Sequence, residues 1–134
     1  MNGYQKYKAQ SIYSMSPSEL LLMLYEEAIK RMKKAQYALE DHDYGVFEDC
    51  ITRTVKIIRY LNVILDMEQP ISQDFRHIYE HLFYNLSLIR AGRDRRTEEI
   101  EEVIHILTEF REGFEEAGRQ VGDMHVTSEK SVVG

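Results

Sequence analysis

The residue pairs best spaced for chemistry in this chain are His77 with His81, and Glu102 with His105. Residues three or four apart share one face of a helix, so each pair could offer two ligands to a metal ion. A carboxylate-bridged di-iron bundle needs more: two Glu-x-x-His motifs and two further inward glutamates. The chain has one such motif, and Glu102 and His105 flank an apolar stripe rather than lie in it. Surface histidines are the plainer reading, and no metal is expected. A histidine phosphotransfer site would set Lys and Gly close after an exposed histidine to host the phosphate; no such pair follows His77, His81 or His105. The lone Cys50 has Arg53 as the nearby cation on its own helical face, a thin basis for a reactive thiolate. A Gly-rich phosphate loop is missing as well. These residue types point away from catalysis, and neither an enzyme activity nor a cofactor is expected.

The elements that carry these residues are helical. Length suits one domain: 134 residues can bury a single real core. With 43% hydrophobic and 30% charged residues, the composition is that of a folded soluble chain rather than a disordered one. No apolar run approaches the roughly 20 residues of a membrane span, and the first residues, Met-Asn-Gly-Tyr-Gln-Lys-Tyr-Lys, lack the apolar stretch of a secretory signal. One cysteine leaves no internal disulfide and fits a reducing compartment. A cytoplasmic location is therefore expected, without membrane insertion. Net charge of −6 argues against nucleic acid, which calls for a basic footprint.

Ser16-Pro17-Ser18-Glu19 is a strong helix start: a hydroxyl to accept from an early backbone N–H, proline at the first helical position, and a glutamate three residues on to complete a capping box. Six apolar or aromatic residues follow, Leu20 to Tyr25, and at about 100° per residue they cover the helix all round. This first helix is expected to reach about Leu39, before Asp41-His42-Asp43. A second, capped by Asp43, runs to about Leu65 with the seam Phe47, Ile51, Thr54, Ile58, Leu61, Leu65. Pro70 breaks the chain and Ser72 is read as the cap of a third helix with Phe75, Ile78, Leu82, Leu86 and Ile89, ending at Gly92. The basic turn Arg93-Asp94-Arg95-Arg96 leads to Thr97, read as the cap of a fourth, with Ile100, Val103, Leu107, Phe110, Phe114 and Ala117 before Gly118. Short connections bring consecutive helices back antiparallel. The expectation is an all-α, up-down four-helix bundle over residues 16–118, with an N-terminal strap (1–15) and a loose C-terminal tail (119–134).

Apolar residues exceed what the seams need. Helix two adds Cys50, Ile57 and Ile64 at seven-residue spacing, with Val46, Tyr60 and Val63 on its other shoulder. Helix one adds Leu22, Tyr25, Ile29 and Met32, and helix four Ile104 and Ile106. Some of these widen the core, but a bundle of this size does not enclose every shoulder, and large exposed apolar patches mark interaction sites. An adapter binding a helix or apolar peptide, or a homodimer, follows. The polar but aromatic segment with Tyr4, Tyr7, Ile12 and Tyr13 is expected to lie across an apolar groove. The expected partner-binding residues are thus Tyr7, Ile12, Tyr13, Tyr25, Ile29, Cys50, Ile57, Tyr60 and Ile64. Acidic Glu109, Glu112, Glu115 and Glu116 late in helix four run against the helix dipole; a solvated face is the usual reason for such a run, and a basic partner the sharper one.

Ser16-Pro17-Ser18-Glu19-Leu20, the run Leu21-Leu22-Met23-Leu24-Tyr25, Ala28-Ile29 and Leu65-Asp66-Met67-Glu68-Gln69 together resemble the flagellin export chaperone family, FliS, over roughly residues 4–117. The resemblance implies a cytoplasmic helical bundle that binds the C-terminal segment of flagellin, keeps it from polymerising and presents it to the export-gate proteins; it also implies a tendency to self-associate. Glu26-Glu27 stand where the family usually has Asp-Gly, and Pro70-Ile71 where it usually has Gly-Gly. An adapter for another export component is the alternative, and a metal-binding bundle stands well behind both.

Overall fold

A computed structural model describes residues 15–117 of the chain. They form four helices: α1 (Pro17–Glu40), α2 (Tyr44–Val63), α3 (Ser72–Gly92) and α4 (Thr97–Ala117), with a short 3-10 turn, Arg93–Arg96, joining α3 to α4. Each helix packs on its neighbours in the chain, and α4 closes the ring against α1. Side-chain pairs show the directions. Near its start α1 meets the end of α4, through Tyr25 with Phe114 and Glu26 with Arg111. Arg90 late in α3 reaches Glu48 and Thr52 early in α2. Phe75 at the start of α3 stacks beside Phe114, and His81 meets Glu102 farther along. The all-α up-down bundle is the architecture found. The expected strap and tail, apart from Met15, lie outside the described residues.

The starts of α1 and α2 follow directly from side-chain chemistry. Ser16 Oγ accepts from the Glu19 backbone N–H at 3.2 Å and donates to the Glu19 carboxylate at 3.0 Å. Asp43 Oδ1 accepts from Val46 N–H at 3.1 Å. Two other starts differ from expectation. Ser72 does not cap α3; it is the first helical residue, and its buried hydroxyl donates to the Asp66 carbonyl at 2.6 Å, tying the helix to the preceding loop. Thr97 is already in helical conformation because the 3-10 turn leads straight into α4, so it has no free N-terminus to cap.

The core is one cluster running through all four helices, including Leu21, Met32, Phe47, Ile51, Ile58, Leu61, Leu82, Leu86, Ile100, Val103 and Leu107. It also takes Tyr79, off the expected α3 stripe; its hydroxyl pairs with that of Tyr25 at 2.5 Å, so two buried polar atoms satisfy each other. Burial pushes both phenols well above the ordinary tyrosine value. At the closed end, the Tyr44 hydroxyl donates to Asp94 at 2.9 Å, and the Arg93 guanidinium lies 4.6 Å over the Tyr44 ring. That clasp joins the α1–α2 turn to the α3–α4 turn.

Candidate functional site

An apolar groove of about 570 Å³ lies between α3 and α4. Phe75 and Ile78 come from α3, and Ile106, Phe110, Gly113 and Phe114 from α4; His77, His81 and Glu109 edge it. Helical spacing explains the grouping. Ile106, Phe110, Gly113 and Phe114 fall within two turns of one face, and Phe75 and Ile78 share a face on the antiparallel neighbour. Phe114 is buried, whereas Ile78, Ile106 and Phe110 are half-buried and present apolar surface to the opening.

The groove has an aromatic back. The Tyr25 ring stacks on Phe110 at 5.7 Å and on Phe114 at 5.5 Å between centroids, and Phe75 lies 5.7 Å from both. Offset aromatic contacts of this length are favourable beyond the area they bury. Because the Tyr25 hydroxyl is held by Tyr79, the cluster is tied across the bundle from α1 to α3. The site can grip apolar side chains of an extended or helical segment.

The expected partner-binding residues distribute differently. Tyr25, Cys50 and Ile64 are fully buried and Ile29 nearly so, which corrects their placement on an exposed stripe. The four-helix ring encloses the shoulders of α1 and α2 that a narrower bundle would leave open. Tyr25 still bears on the groove, from behind, by supporting Phe110 and Phe114. Ile57 and Tyr60 are half-buried on α2, and neither lines this groove. Tyr7, Ile12 and Tyr13 lie outside the described residues. Helical spacing assigns Phe75, Ile78, Phe110 and Phe114 to the core stripes; the visible signal that they exceed it is Ile106, off the α4 stripe and one turn before Phe110.

Two of the helix-borne histidines singled out by their spacing each meet a glutamate. His81 Nε2 lies 3.1 Å from Glu102, and His105 Nε2 3.2 Å from Glu109. Among the described residues, no three His, Cys, Asp or Glu side chains gather as a metal set. Burial pushes the Cys50 thiol up, with Lys34 and Arg31 of α1 pulling weakly the other way. Glu27, where the resemblance leads one to expect glycine, pairs with Lys30 and Arg31 on its own helix. No helix among the described residues is long and apolar enough to cross a membrane.

A family model described as "Flagellar protein FliS" matches residues 1–121 of this chain. The flagellar secretion chaperone FliS of Bacillus subtilis (strain 168) is 28% identical over 116 residues, covering 87% of this chain and 86% of that protein.

Proposed function

The chain belongs to the FliS family of flagellar proteins, and from that premise we propose that it is a cytoplasmic export chaperone whose client is the C-terminal segment of flagellin. The observation that carries this reading is the α3–α4 groove, with half-buried Ile78, Ile106 and Phe110 set over a stacked aromatic back. An apolar surface of this kind is suited to one amphipathic face of a client segment that is unfolded before assembly. The segment would be ordered on binding, at an entropic cost offset by burial of its apolar side chains. Shielding is then competitive: side chains seated in the groove are withheld from flagellin–flagellin contacts, and no covalent step is needed. Handing the client to the export-gate proteins, and a homodimeric form, belong to the same proposal. So does a role for Tyr7, Ile12 and Tyr13 in covering or joining the apolar surface.

The test is co-purification and calorimetric titration with the host flagellin, intact and lacking its C-terminal segment. Intact flagellin should bind and the truncated form should not. Ile78→Asp with Ile106→Asp should weaken binding at least about a hundredfold, or ~2.7 kcal/mol, with helicity retained. Binding undiminished in that double variant would remove the groove from the mechanism.

A further inference from the structure

A second groove, of about 470 Å³, lies between α1 and the end of α4, and its chemistry is opposite to that of the molecule as a whole. Glu26, Ile29, Lys30, Lys33 and Tyr37 follow one another at helical spacing along α1, with Lys34 beside them and Arg111 of α4 on the facing wall. The stripe extends roughly 16 Å. Its floor is Ile29, nearly buried, and Tyr37 is 67% exposed, an aromatic ring one turn beyond Lys33. Arg111 is engaged by Glu26 and Glu115, and Lys30 by Glu27. Among the described residues, Lys33 and Lys34 have no ion-pair partner. In a chain of net charge −6, three lysines and an arginine thus gather around one glutamate, beside an apolar floor and an exposed tyrosine.

We infer that this groove is a docking site for an acidic peptide segment of another protein, one carrying glutamates or aspartates with an aliphatic side chain between them. The carboxylates would meet Lys30, Lys33 and Lys34, and the aliphatic group would lie on Ile29 against the Tyr37 ring. The chain's own ends do not supply that chemistry. Residues 1–14 contain Lys6 and Lys8 and no acidic residue, and in residues 118–134 Arg119 and Lys130 balance Asp123 and Glu129. A concave site between two helices suits a peptide better than the flat face of a bilayer. The inference is separate from the α3–α4 groove, with which this site shares no lining residue.

The probe is a fluorescein-labelled synthetic peptide of glutamates with leucines at i and i+4, followed by anisotropy against the full-length protein. Binding should occur at low salt, weaken at high salt as exposed charges are screened, and fall at least about tenfold in Lys30→Glu with Lys33→Glu. Lys56→Glu, on α2 and outside this groove, should bind like the parent, and the double variant should keep its helicity and its affinity for flagellin. The inference is overturned if the parent does not bind the peptide, or if the double variant binds it equally. It is also overturned if phosphatidylserine vesicles bind in the peptide's place, if the charge reversal abolishes a homodimer, or if flagellin binding is lost with peptide binding.

Discussion

Tyr25 and Tyr79 meet hydroxyl to hydroxyl inside an otherwise apolar core, and each depends on the other in a specific way. Tyr79→Phe leaves the Tyr25 hydroxyl buried without that partner and should cost about 1–3 kcal/mol. Replacing both by Phe should cost less than the sum of the single changes, which a double-mutant cycle in urea would measure. The same pair sets an alkaline limit. Both folded-state pKa values are raised by burial, so the two phenols stay neutral in the folded chain while the unfolded chain ionises from about pH 10. Their stabilisation is fully present below that pH and is lost as pH rises toward the folded values, by about 1.4 kcal/mol per pH unit for each phenol. Urea midpoints measured on both sides of pH 10 should fall steeply in the parent and less steeply in the double Phe variant. Equal slopes would assign the alkaline loss to other groups.

Helix ends carry the next scale of argument. After α1, Asp43 N–H bonds to the Ala38 carbonyl at 2.8 Å and His42 N–H to Leu39 at 3.1 Å, the paired bonds of a Schellman stop. His42 holds the left-handed position, φ 55°, where glycine is normally best. His42→Gly should therefore raise stability by about 0.5–1 kcal/mol, seen as a higher Tm. Arg93 also has positive φ, 52°, yet its guanidinium covers the Tyr44 ring, so Arg93→Gly loses a contact as it relieves the backbone and should change stability little. Gly92, just before it, has a different constraint: a Cβ there would collide with the Arg96 side chain. At the other end of α1, Ser16→Ala removes the acceptor for Glu19 N–H and should cost about 1 kcal/mol. Should His42→Gly lower the Tm, the contacts of the imidazole with Tyr44 would outweigh the backbone gain.

Across the whole molecule, the ring of four helices decides which apolar residues are available. Ile57 and Ile64 sit seven residues apart, as if equivalent, yet Ile64 is buried at 1% exposure while Ile57 is only partly covered. Ile64→Asp should destabilise the fold by at least about 3 kcal/mol, as a core truncation such as Phe47→Ala would, because it places a carboxylate in the apolar interior. Ile57→Asp should keep the helical signal and a Tm much nearer the parent's. Thermal unfolding followed by circular dichroism separates them; two equal losses would put Ile57 in the core as well.

What could be read from the residues alone was local and periodic. Ser16 and Asp43 announced their helices because a cap is a contact between residues three apart. The seams of α2 and α4 followed from helical spacing, and the basic turn after Gly92 was visible in composition. Ser72 and Tyr79 were not legible in the same way: the partner of one is the Asp66 carbonyl across a loop, and that of the other is a hydroxyl 54 positions away. Nor could spacing tell an enclosed shoulder from an open one. Tyr25, Ile29, Cys50 and Ile64 are apolar enough for either, and the packing of the four helices into one ring buried them. Between α3 and α4, in contrast, a gap remained at Phe75, Ile78, Ile106 and Phe110. A helix's own sequence states how wide its apolar face is; only the neighbours it packs against determine how much of that face is left uncovered.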